Sequence, residues 1–160
     1  MRTLFLMRHA KSEWGDASLA DHDRPLNERG RRAAAAIGKY MRANGLIPEA
    51  VITSSAIRAC STAELVIADS GWPITIEPRI YEATVGQLLD LVNGLSDMLT
   101  TVMFVGHEPT MSSLTARLTD VGVSMPTGTL AGITFDAASW SKVTIGSGNL
   151  RELIHPRSIE

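Results

Sequence analysis

The stretch Thr3-Leu4-Phe5-Leu6-Met7-Arg8-His9 sets four large apolar side chains in a row and ends them on a cation and an imidazole. An apolar run of this length without polar alternation is the pattern of a strand covered on both faces, as in a parallel sheet. It is too short for the apolar region of a signal peptide. Outward from it the same motif recurs. Thr101 to Val105, the most strand-like run in the chain, is followed by Gly106-His107, and Ala50 to Thr53 is followed by Ser54-Ser55. Ile74 to Glu77 reads as a further short strand.

Helical stretches separate these runs. Asn27 predicts an N-cap for a helix over Glu28 to Asn44, with Gly45 as terminator. Ser55 predicts a cap for a helix over Ala56 to Ser70, stopped by Gly71. Thr84 and Gln87 have capping-box spacing and open a helix through Leu95, and Pro109 suits the first turn of a helix reaching Leu118. Beyond it, Leu130 to Phe135, Lys142 to Ile145 and Asn149 to Leu153 read as strands with little helix between them. Strands alternating with helices predict an α/β fold: a three-layer sandwich whose mainly parallel mixed sheet carries helices on both faces, the tail adding antiparallel strands.

Composition narrows the function. The chain has 160 residues, 44% hydrophobic and 20% charged, and no repeat or linker divides it, so residues 1–160 are expected to form a single domain. A net charge of -2 argues against nucleic acid as a partner. No segment has the ~18 apolar residues of a membrane span, and the single cysteine, Cys60, forms no internal disulfide; a cytoplasmic protein is the expectation. Cys60 lies on an apolar helix face and reads as core, as do Met98, Met103, Met111 and Met125. Asp21-His22-Asp23 lacks a partner cluster at metal-ligand spacing and reads as a solvated loop, and His155 as inert.

Three strands thus deliver Arg8-His9, Ser54-Ser55 with Arg58 just beyond, and Gly106-His107 to one edge. In parallel α/β sheets that carboxyl edge is where ligands bind. Arginines offer a planar fork of donors suited to tetrahedral oxyanions, and helix starts add backbone N–H groups. Neighbouring cations oppose protonation of an imidazole, which keeps a lone pair free for attack on phosphorus. Each residue alone has a plainer explanation, as a strand-end histidine, a solvated arginine or a cap. Their shared placement favours a phosphate site.

In order and spacing these residues resemble the histidine phosphatase superfamily, whose fold is phosphoglycerate mutase-like. Met7-Arg8-His9-Ala10-Lys11-Ser12 and Asp23-Arg24-Pro25-Leu26-Asn27-Glu28-Arg29-Gly30 resemble its short, SixA-type phosphohistidine phosphatase branch, over nearly the whole chain. The resemblance implies that His9 is a nucleophile that becomes phosphorylated, and that Arg8, Arg58 and His107 bind phosphate, His107 also acting in catalysis. It implies that Arg24 is an added arginine of the short branch. Without the resemblance, an ion pair to Asp21 or Asp23 explains Arg24. Glu82, in Ile80-Tyr81-Glu82, falls where some members carry an acidic proton donor. No metal or cofactor is implied. The expected substrates are phosphohistidine on a protein partner or small phosphoesters, with a broad small-molecule phosphatase or a non-catalytic phosphate-binding module as alternatives. Ala10 departs from the glycine that usually follows the histidine. The chain also lacks the insertions that cover the substrate in mutases, which leaves an open site.

Overall fold

The computed structural model describes residues 1–160. One six-stranded sheet carries the fold, in the spatial order β3-β2-β4-β1-β5-β6. The strands are β1 (Arg2–Arg8), β2 (Ala50–Thr53), β3 (Ile74–Ile76), β4 (Thr101–Gly106), β5 (Leu130–Phe135) and β6 (Gly148–Ile154). β1 to β4 run parallel, and β5 and β6 join antiparallel. The helices are α1 (Glu28–Ala43), α2 (Ile57–Ile67), α3 (Val85–Asn93) and α4 (Thr110–Thr119).

Alternation along the strands explains the layers. Leu4 and Leu6 of β1, with Val102 and Phe104 of β4, pack against Leu88 and Val92 of α3 and Met111, Leu114 and Leu118 of α4. Phe5, Met7, Met103 and Val105 point the other way, onto Ile37 and Met41 of α1 and Ala59, Ala63 and Val66 of α2. Both sides of β1 and β4 are covered, so every second residue is apolar on each face and the run reads as continuous. Fully burying such a side chain stabilises the fold by roughly 1.5–3 kcal/mol. The α/β sandwich with helices on both faces therefore stands as the sequence predicts.

Local signals behave as their chemistry requires. The Asn27 side chain accepts from the Gly30 N–H, and Thr84 with Gln87 forms a complete capping box. Three details differ. Ser55 does not cap α2; Ala56 occupies that position without a side-chain bond, while the Ser55 hydroxyl pairs with His22 Nε2 at 2.9 Å. α2 stops at Ile67, before Gly71, because Ala68 turns to φ +40°. Lys142 to Ile145 is no strand. Trp140 is fully buried, its Nε1 donates to the Leu99 carbonyl at 2.7 Å, and Asn93 Nδ2 donates to the carbonyls of Trp140 and Val143. This anchorage coils the segment into a short 3-10 turn over α3, and β6 alone completes the sheet. Met98 is 88% exposed and not core, and Cys60 is half-buried, its Sγ donating to the Ser54 carbonyl.

α1 and α2 cross at Gly38, where an added Cβ would lie 2.2 Å from the Val66 carbonyl oxygen. Backbone cannot yield as a flexible side chain does, so Gly38→Ala is expected to cost at least about 2 kcal/mol. At Gly86 in α3 an added Cβ meets nothing closer than 4.0 Å. Gly86→Ala is expected to be neutral or to stabilise by up to about 1 kcal/mol. Urea unfolding midpoints of the two variants check the contrast; equal losses would contradict the packing described.

Candidate active site

The pairing of β1 with β4 places Arg8 opposite Gly106, and the chain continues the register: the His9 N–H donates to the Gly106 carbonyl at 2.9 Å. His9 and His107 are therefore neighbours, with ring centroids 5.2 Å apart. Ala10 is fully buried and its N–H donates to Thr62 Oγ1, which ties the residue after the histidine to α2. From α2 the buried Arg58 reaches back, its Nε donating toward His9 Nε2 at 3.4 Å. Arg24 arrives by another route. Residues 11–13 pair with residues 25–27, through the Ser12–Leu26 bridge and the Glu13 N–H to Pro25 bond, which sets its guanidinium against Ser12.

These residues line one cavity of about 350 Å³, together with Lys11, Trp14, Asp21, Glu108 and Thr127. Every sequence-derived phosphate ligand is there: Arg8, Arg24, Arg58 and His107, with His9 among them. Glu82 is not. It is exposed, at φ +61°, next to Tyr81. The acids that line the cavity are Asp21 and Glu108, and the Glu108 carboxylate accepts from the N–H and hydroxyl of Ser112 in the first turn of α4.

Asp21 organises the cations. Its carboxylate accepts from Arg58 at 3.0 Å, from Arg24 at 3.2 Å and from the Tyr81 hydroxyl at 2.7 Å, and its carbonyl accepts from Arg58 at 2.7 Å. The Tyr81 hydroxyl is the foremost reason its carboxyl is held well below the usual range, with Arg58 and Arg24 adding to it and partial burial opposing. Asp21 is no idle member of a solvated loop. Only its closeness to Arg24 in sequence hints at this, since Arg58 and Tyr81 lie far along the chain. For Arg24, ion pair and cavity wall turn out to be compatible.

The state of His9 is set by two contacts. Its Nδ1 lies 2.7 Å from the Ala10 carbonyl, which can only accept, so Nδ1 carries the hydrogen and Nε2 keeps its lone pair beside Arg58. Its pKa falls to about 3, first because it is buried and then because His107, Arg58 and Arg8 disfavour further charge, against the Ala10 bond. That of His107 falls to about 4 by burial first, then Arg58. Desolvation thus outranks the cations expected to do this work. His107 Nε2 pairs with Ser54 Oγ at 2.8 Å. Arg8 Nε and His107 Nδ1 are buried with no partner in the protein, an uncommon condition for buried polar atoms.

Residues 4–95 match the model of the histidine phosphatase superfamily, branch 1. An uncharacterized Mycobacterium tuberculosis protein is 42% identical over 115 residues, covering 72% of this chain and 71% of its own length. A Nakamurella multipartitia structure assigned as the phosphohistidine phosphatase SixA superposes with a TM-score of 0.87 at 27% identity, over 97% of this chain and 96% of its own. One from Agrobacterium tumefaciens, likewise assigned, gives 0.83 at 25% identity, over 97% and 98%.

Both imidazoles have lowered pKa values, so the unfolded chain binds protons that the folded chain refuses as pH drops below about 6.5. The two histidines' contribution to stability is complete above that pH and declines toward pH 4, by up to about 1.4 kcal/mol per pH unit for each. His9→Asn is expected to flatten this slope by up to about half, read from chemical denaturation between pH 4 and 7. An unchanged slope would contradict the neutral state assigned to His9.

Proposed function

The chain belongs to the histidine phosphatase superfamily, and on that premise we propose that it hydrolyses phosphohistidine or phosphomonoester bonds through a phosphoryl group carried on His9. The observation that carries this reading is the neutral His9, its hydrogen fixed on Nδ1 by Ala10 and its Nε2 lone pair beside Arg58. With a pKa near 3 it needs no deprotonation before attack at pH 7.

In the first step Nε2 attacks phosphorus in line and the P–N bond forms while the bond to the leaving group breaks. Arg8, Arg24, Arg58 and His107 spread the charge on the equatorial oxygens, the largest task in phosphoryl transfer. Asp21 holds Arg58 and Arg24 in position for it. Water then attacks phosphorus, the P–N bond breaks, and inorganic phosphate departs with the water's proton, leaving His9 neutral with its hydrogen still on Nδ1. The arginines supply the positive charge that metal ions provide elsewhere, so the reaction as proposed needs no metal.

Phosphohistidine on a protein is the leading substrate. An imidazole leaving group departs neutral when its other nitrogen holds a hydrogen, and the cavity has no long insertion over it. An alkoxide leaving group requires a proton, and Glu82, one residue beyond the Asp21-bound Tyr81, is the proposed donor. A broad phosphatase for small phosphoesters is the second reading; the exposed rim residue Trp14, at 76%, suits substrates of varied size.

Rapid quench into alkali, where N–P bonds persist, is expected to trap labelled phosphate on His9 during turnover, with none on His9→Ala. Activity lost on adding a chelator, or turnover without trapped phosphate, would overturn the mechanism. Glu82→Gln is expected to lower kcat/KM on phosphoesters by about 10²–10⁴-fold while leaving phosphohistidine hydrolysis nearly intact. Equal losses on both would remove Glu82 from the reaction.

A further inference from the structure

Beside the catalytic cavity lies a second one of about 230 Å³, walled by Lys11, Arg29, Ala33, Thr127, His155 and Arg157 among others. Lys11 and Thr127 line both cavities, so the two adjoin. The walls are closely packed where they meet. Gly30, in the first turn of α1, approaches so closely that a Cβ there would sit 2.0 Å from the Lys11 carbonyl oxygen, and the Asn27 N–H donates to that same oxygen at 3.0 Å. On the opposite side the Gly128 N–H donates to the His9 carbonyl, and Gly128 lies so close to Pro156 that a Cβ would meet its ring at 2.8 Å. His155 is tied through Nδ1 to Thr129 Oγ1 at 3.1 Å.

The charge of this cleft is unbalanced. Lys11, Arg29 and Arg157 form no ion pair, although the neighbouring Arg31 and Arg32 are both tied to Glu28. Glu160 is the one acid on the wall. The molecule as a whole carries a net charge of -2, so a concave site with three free cations and one acid runs against its surroundings. Field lines concentrate in such clefts and raise the local concentration of anions. The catalytic reading leaves the cleft unused: a single phosphoryl group on His9 fills only the neighbouring cavity.

We propose that this cleft is a second anion subsite, which binds a carboxylate or phosphate carried on the same substrate whose phosphoryl group reaches His9. The proposal rests on the phosphatase reading and adds the substrate class: molecules with two anionic centres, joined past Lys11 and Thr127. An acidic side chain near a phosphohistidine and a second phosphate on a small molecule offer the same chemistry.

Calorimetric titration with alkane-α,ω-bisphosphonates of increasing length, against alkylphosphonates of equal length, tests it without turnover. At one linker length the bisphosphonate is expected to bind about tenfold tighter or better. Arg29→Ala with Arg157→Ala is expected to erase that advantage while leaving alkylphosphonate binding and p-nitrophenyl phosphate turnover unchanged. No advantage at any length, or one that survives the double variant, overturns the subsite. Turnover of p-nitrophenyl phosphate without the advantage keeps the phosphatase and sinks the cleft; the advantage without turnover does the reverse. Phosphohistidine peptides flanked by Glu or by Gln then separate the sources. A preference for Glu that needs Arg29 and Arg157 assigns the subsite to acidic protein segments, and its absence beside a bisphosphonate advantage assigns it to small bisphosphorylated molecules.

Discussion

Parallel pairing between β1 and β4 is the constraint from which the site follows. The two strands lie side by side although almost a hundred residues separate them, and their shared register delivers His9 and His107 to one edge as adjacent rings. Slipping the register by one residue would turn Leu4, Leu6, Phe5 and Met7 onto the wrong faces of the sheet, so the packing of both cores guards the position of both histidines. The placement of the two histidines and the stability of the fold are here one requirement.

Around that pair the electrostatics are arranged to leave one ring nitrogen available. Burial removes the stabilising water from an imidazolium, and the Ala10 carbonyl decides which nitrogen holds the hydrogen. Three guanidinium groups in one small cavity repel each other, and Asp21 offsets this by bonding two of them. Its carboxylate stays charged because the Tyr81 hydroxyl and the arginines favour the anion. The third, Arg8, donates to the Met125 carbonyl and keeps its Nε unpaired.

Much of this was legible from residues alone, wherever the signal is local. Runs such as Leu4 to Met7 and Val102 to Val105 announce buried parallel strands, and Asn27, Thr84 and Gln87 announce helix starts, because each device works within a few residues. The convergence of Arg8, His9, Arg58 and His107 was also readable, since parallel sheets send strand ends to one edge. Failures occur where distant contacts decide. Lys142 to Ile145 has strand-like residues, yet Trp140 is captured by Leu99 and Asn93. Ser55 reads as a cap in sequence, yet α2 starts one residue later, with Ala56 at the cap position, and the Ser55 hydroxyl pairs with His22. Asp21 looks like an ordinary loop acid until folding brings Arg58 and Tyr81 to it.

Trp14 lies in the cavity wall, largely in water, with the Arg24 guanidinium 3.6 Å from its ring centroid. Trp140 is fully enclosed and Trp72 is half-covered. An indole's emission responds to the charge and polarity around it, so an anion drawing Arg24 inward would recolour one of three tryptophans while the other two stay constant. Of the three indoles, Trp14 alone has surroundings that an anion at Arg24 would alter.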